Sequence, residues 1–116
     1  MITCDGEPYG ICCVTDISTV DRSGTAWYLR GTGIARIPGA MTRAVGEMVG
    51  EAFSQMGLRS ISASILEPNL ASRRILENNR FREAGRLRKA FKLQGGFVDR
   101  ILFDLLPEDL SFSAPE

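Results

Sequence analysis

The stretch Arg36-Ile37-Pro38-Gly39-Ala40-Met41 is the first place where this sequence offers chemistry. It is a loop that opens the clearest helical pattern in the chain. The first turn of a helix carries N–H groups without intrahelical partners and the positive end of the helix dipole, and together these favour a phosphate. Gly39 has no side chain to block a close approach, Ala40 is small, and Arg36 adds a positive charge for the same anion. An ordinary strand-to-helix loop is the competing reading of these residues. Two other phosphate motifs fail here. The P-loop needs Gly-Lys-Ser/Thr, but Gly39 is followed by Ala40-Met41, and in a dinucleotide fingerprint built on Gly31 and Gly33 the third glycine position is Arg36. A second group is Asn69 and Ser72, three residues apart, where Asn69 reads as the N-cap of a short helix. The chain has no histidine, which removes His-activated nucleophiles and nearly all transition-metal sites, so no metal is expected.

These residues need elements to position them. Residues 1–5 and 9–16 read as strands around the turn signal Asp5-Gly6-Glu7-Pro8, and Ser18 to Gly24 reads as a loop. Thr25 to Arg30 reads as a third strand, and the close pair Gly31 and Gly33 after it suggests a bulge or a point where a ligand meets backbone. Met41, Ala44, Val45, Met48, Val49, Ala52, Phe53 and Met56 follow the i, i+3, i+4, i+7 rule, and Gly57 is a natural helix stop. Arg59 to Leu66 alternates Ile61, Ala63 and Ile65 with serines, so it reads as a strand parallel to the third, with the helix as crossover. A short helix covers Leu70 to Asn78. Phe81 to Leu93 and Phe97 to Leu106 form a hairpin around Gln94-Gly95-Gly96, and Pro107 onward is expected to be a polar, frayed tail. The order β-β-β-α-β-α-β-β predicts an α/β (α+β) fold: a mixed central sheet, a βαβ core and a C-terminal β-hairpin in one domain over 1–106.

The composition bounds the rest. The chain has 116 residues, 44% of them hydrophobic and 24% charged, with zero net charge, which fits one folded domain. No apolar run is long enough for a membrane helix, and the first six residues carry no leader pattern, so a cytoplasmic protein without membrane partners is expected. Cys12 and Cys13 are neighbours that face opposite sides of a strand, so they do not pair with each other; Cys4, Cys12 and Cys13 read as reduced packing residues. Residues 73 to 92 hold Arg73, Arg74, Arg80, Arg82, Arg86, Arg88, Lys89 and Lys92 against Glu77 and Glu83. Such a band suits a polyanion, or it is a solvated face paired with nearby acids. As an RNA-binding surface it is poor in interleaved aromatics, with only Phe81 and Phe91.

In their order and spacing these features resemble the GNAT superfamily of acyl-CoA N-acyltransferases. That family's cofactor loop has Arg or Gln, two residues, Gly, one residue, then Gly or Ala, which Arg36-Ile37-Pro38-Gly39-Ala40-Met41 follows except that Met41 replaces the last small residue. Glu67-Pro68-Asn69-Leu70-Ala71-Ser72 followed by Phe81 resembles the second landmark, an Asn, then Ala or Ser, then Gly-Phe, with Arg80 in place of the glycine. Gly85-Arg86-Leu87-Arg88 and Asp99 fit later positions.

The resemblance runs from Gly10 to Leu106, looks most like groups that acetylate protein N-termini or amino sugars, and lacks the family's usual first strand and two helices. It implies acetyl-CoA as acyl donor, a primary amine as acceptor and direct attack by the amine on the thioester. The cofactor-binding residues it implies are Gly31, Gly33, Arg36, Gly39, Ala40, Met41, Asn69, Ser72 and Arg73, with Arg74 beside Arg73 as a further candidate for the remote phosphate. The backbone of Gly31 to Gly33 is the oxyanion candidate, and Ser72 the candidate proton donor to the leaving thiolate. The tyrosine that many relatives use as acid falls at Leu76. Tyr28 and Glu67, near the C-terminal ends of the parallel strands, are the candidate bases. A homodimer fits the pattern, and a non-catalytic CoA-binding fragment and a basic RNA-binding module are the rival functions.

Overall fold

The computed structural model describes residues 3–7, 10–30 and 39–110. Their elements are strands β1 (Thr3–Glu7), β2 (Gly10–Ser18) and β3 (Ser23–Arg30), helix α1 (Ala40–Gln55), strand β4 (Ser60–Leu66), helix α2 (Leu70–Asn78), strands β5 (Arg82–Leu93) and β6 (Gly96–Leu105), and a short helix α3 (Pro107–Leu110). The strands form one mixed sheet in the order β1-β2-β3-β4-β6-β5, and β3 pairs parallel to β4 as expected of a strand–helix–strand crossover.

One face of the sheet holds the core. Cys12, Val14, Ala26, Ile61, Ala63, Ile65, Ile101, Phe103 and Leu105 point to it by strand alternation and are buried beneath α1 and α2. From α1 come Met41, Val45, Met48, Val49 and Ala52, with Ala44, Phe53 and Met56 packed at the margin, so the sequence periodicity located the buried stripe. Ile75 and Leu76 of α2 and Phe81 close the core. The opposite face carries no helix among the described residues and leaves Ile11, Trp27 and Leu29 at 37%, 37% and 63% exposure.

Gly46 answers to a close contact between helices. A β-carbon there would lie 2.7 Å from Oδ1 of Asn79, the C-cap of α2. Asn79 is held in place because its Nδ2 donates to the carbonyls of Thr42 (3.0 Å) and Ile75 (2.9 Å). Gly50, one turn on, has nothing within 4 Å of such a β-carbon. Gly50→Ala is therefore expected to stabilise the fold by up to about 1 kcal/mol through helix propensity. Gly46→Ala should lower the melting temperature, because the same propensity gain is offset by displacement of Asn79. Thermal melts of the two variants check the contrast.

Several sequence expectations need correction. Asp5, Gly6 and Glu7 are not a turn but the end of β1, since pairing continues to Glu7 opposite Gly10. The connection expected over Ser18 to Gly24 shrinks to Thr19–Arg22, because a register shift after Thr15 carries β2 on to Ser18 opposite Ser23. Arg80 adopts φ +70°, the left-handed region where glycine is favoured, which accounts for the family's preference there. Pro107 to Leu110 are not frayed: the Leu106 N–H donates to the Asp109 carboxylate at 2.9 Å, and Asp109 pairs with Arg82 at 3.1 Å. The cysteines are not all reduced. Cys13 is disulfide-bonded, and Cys12 is a buried thiol outside any disulfide. The β1–β2 register sets Cys4 directly opposite Cys13 on the neighbouring backbone, a juxtaposition that spacing alone does not reveal.

Candidate active site

The parallel pair is where the sheet opens. β3 and β4 are registered only from Ser23–Ser60 to Thr25–Ser62, yet β3 runs on to Arg30 and β4 to Leu66. Beyond those pairs the strands part, and the gap holds a pocket of about 200 Å³ lined by residues from both faces of the sheet. On the helix-bearing side it is lined by Tyr28, Asn69 and Ser72, and on the open face by Trp27, Ser64 and Arg100.

The helix side is built by α2. Asn69 is its N-cap, with Oδ1 accepting from the Ser72 N–H at 3.1 Å, as the sequence implied. The Tyr28 hydroxyl donates to the Ser72 carbonyl at 3.2 Å, tying β3 to the first turn of α2. Burial pushes the Tyr28 phenol above its ordinary value, and its contact with Ser72 takes back part of that rise. A phenol so placed stays protonated at neutral pH. Leu76, at the position of the family's tyrosine, is fully buried in the core.

Glu67 does not line the gap. Its Oε2 accepts from Arg86 Nη1 at 3.0 Å, and the same guanidinium reaches Asp99 Oδ2 at 2.7 Å. Arg86 and the Lys89 N–H hold the Asp99 carboxyl below its ordinary 3.8. The interaction is thus complete above the ordinary carboxylate range and is lost only as pH falls through the lowered value. In a carboxyl-carbon NMR titration Asp99 should titrate below the ordinary 3.8, and Arg86→Gln should raise it toward that value.

The phosphate side is the start of α1. Gly39 is its N-cap at φ +76°, a left-handed conformation that glycine adopts without strain, and no side chain caps the helix. The first intrahelical bond is Arg43 N–H to the Gly39 carbonyl at 3.0 Å, so the N–H groups of the preceding residues lie beyond the helix ladder. Ala40 and Met41 turn their side chains into the core, at 3% and 5% exposure, and only their backbone faces the helix end. Met41 therefore does not obstruct it. Gly31, Gly33 and Arg36 lie outside the described residues.

Arg73 is engaged by acids on its own helix and on β5. It pairs with Glu77 (3.2 Å) and Glu83 (3.4 Å) and lies over the Phe103 ring. With Arg82 on Asp109 and Arg86 on Glu67 and Asp99, much of the basic band is paired with local acids. Arg43 escaped the sequence reading. Its Nη1 lies 3.6 Å from where a Gly39 β-carbon would be, which puts a guanidinium at the N-terminus of α1. A cation in a first helical turn opposes the dipole unless an anion joins it, and that conflict was the available signal. Trp27, Ser64 and Arg100 were missed because only the strand register brings them together.

A mixed sheet with two helices on one face, opened between its parallel strands beside a helix N-terminus, is the architecture of an acetyltransferase domain. The family model described as "Acetyltransferase (GNAT) domain" matches residues 2–82. The chain belongs to that family. It is 39% identical over 72 residues to a probable N-acetyltransferase, YjcK, of Bacillus subtilis, covering 61% of this chain and 40% of that protein. Among solved structures, Mycobacterium smegmatis RimJ in complex with CoA-disulfide matches with TM-score 0.79 at 26% identity, over 93% of this chain and 52% of the other. The ribosomal-protein-S5-alanine acetyltransferase of Vibrio fischeri matches with TM-score 0.76 at 24% identity, over 87% and 55%, and supports the fold. The chain thus spans between about two fifths and a little over half of the length of these relatives. Among the described residues, no helix is long and apolar enough to cross a membrane.

Proposed function

We propose that this chain binds acetyl-CoA, with its pyrophosphate on the N–H groups of α1's first turn and its pantetheine arm in the β3–β4 gap, and transfers the acetyl group to a primary amine. The observation that carries this reading is the parting of the parallel strands beside Tyr28, Asn69 and Ser72. Arg36 and Arg43 supply positive charge at the phosphate end, and the backbone of Gly31 to Gly33 is the oxyanion candidate. The neutral amine attacks the thioester carbonyl, the C–N bond forms and the C–S bond breaks. The leaving thiolate takes a proton from the Tyr28 and Ser72 hydroxyl pair, and the surplus proton of the acylated amine passes through water back to that pair, so the enzyme ends unchanged. Proximity within the gap accounts for most of the rate.

The test is a titration of the isotopically labelled chain with acetyl-CoA. Amide resonances of Arg36 through Thr42 should shift, the melting temperature should rise with ligand concentration, and mass spectrometry should find acetylated amine. Unmoved amides in that segment would remove the assignment. The sheet face on the Trp27 side, which carries no helix among the described residues, favours a second reading, a CoA-binding module without turnover. Binding with no acetylated product from any amine selects it.

A further inference from the structure

The open-face mouth of the gap is chemically distinct from its helix side. Arg100 sits there between strands, partly buried, and donates from Nη1 to Ser64 Oγ at 3.1 Å. Its guanidinium lies 5.8 Å from the centroid of the Phe91 ring. No carboxylate among the described residues pairs with it. The acids nearest in sequence are otherwise placed: Asp99 faces the other side of the sheet on Arg86, and Asp104 lies four residues along β6, roughly 13 Å away at strand rise. Guanidinium carries five N–H donors in a planar fork, and most of them remain available here. Trp27, at 37% exposure, supplies an apolar plane on the same side of the gap. An uncompensated guanidinium beside an aromatic plane binds a carboxylate and repels a polycation.

The geometry points to an acceptor amine that carries its own carboxylate, as a free acidic amino acid or an acid-bearing peptide does, with Arg100 as the specificity-determining residue and Trp27 as its apolar neighbour. This rests on the acyl-transfer reading and adds to it that the acceptor enters from the face opposite α1 and α2, where Trp27 and Arg100 line the gap. A polyamine is disfavoured at this mouth because its positive charges would meet Arg100.

Trp27 is the sole tryptophan, so its fluorescence reports directly on this mouth. The full chain, saturated with CoA, is titrated with L-glutamate, L-glutamine, an Ala-Asp-Glu peptide, the matching Ala-Asn-Gln peptide and spermidine, and acetylation of each is followed with acetyl-CoA in place of CoA. Each acidic probe should bind or react about tenfold better than its amide twin, and spermidine should be the weakest ligand. The glutamate and peptide arms show which source the mouth prefers. Arg100→Met should abolish the preference and Arg100→Glu should turn it toward spermidine, whereas Arg100→Lys should keep its sign. Cooperative thermal melts of the ligand-free variants, close to that of the native chain, show that they fold. Equal binding of acidic and amide probes by the native chain, or a preference that survives Arg100→Met, overturns the inference while acetyl-CoA binding leaves the acyl-transfer reading standing. Acidic selectivity without acetyl-CoA binding overturns the acyl-transfer reading alone, and binding of neither overturns both.

Discussion

Valine in place of Gly39 is expected to weaken acetyl-CoA binding by about tenfold or more, a change seen directly by isothermal titration. Gly39 holds φ +76° at the N-cap of α1 and is exposed, so no core contact depends on it. A β-branched residue at positive φ is a backbone outlier, and an L residue in this region costs about 1–2 kcal/mol. The chain escapes that cost by rotating the peptide, which turns the donor groups of the first helical turn away from a shared focus. The added methyl groups also crowd Arg43, whose Nη1 already lies 3.6 Å from the β-carbon position. Both effects act where the pyrophosphate is proposed to sit. Native affinity in Gly39→Val would place the phosphate elsewhere, and with it the functional role of the α1 terminus.

Phe103→Ala is the largest stability loss expected, about 3–5 kcal/mol, as for other buried phenylalanines. Phe103 is 1% exposed near the C-terminal end of β6, among Ile61, Ile101 and Leu105 from neighbouring positions of the sheet. The Arg73 guanidinium lies 5.5 Å from its ring centroid, so the truncation also leaves that cation without its aromatic surface. A small domain has only about 5–15 kcal/mol to lose. Urea denaturation should show a midpoint that falls sharply with little change in slope. Phe97, at 59% exposure on the outer part of the hairpin, is the internal comparison: Phe97→Ala should move stability by about 0.5 kcal/mol or less. Equal losses in the two variants would mean that the hairpin end is packed against something in solution.

Local patterns in the sequence located most of the elements. The heptad-like spacing from Met41 to Met56 located α1 and its buried stripe, Asn69 announced the cap of α2, and the alternation in Arg59 to Leu66 gave β4 and its facing. These features depend on neighbours within one or two turns, so the chain states them locally. The family was legible for the same reason, since its landmarks are short segments at a helix start. Tertiary structure alone decided what crosses between elements. Strand register set Cys4 opposite Cys13, kept Asp5 to Glu7 in β1, and gathered Trp27, Ser64 and Arg100 at one mouth. Packing decided that Met41 points inward, that Tyr28 meets Ser72, and that Arg73 and Glu67 are spent on partners outside the gap. Apart from the i,i+4 pair of Arg73 with Glu77, these contacts join residues on separate elements. Their relative placement comes from burying a common core, which no local run of residues encodes.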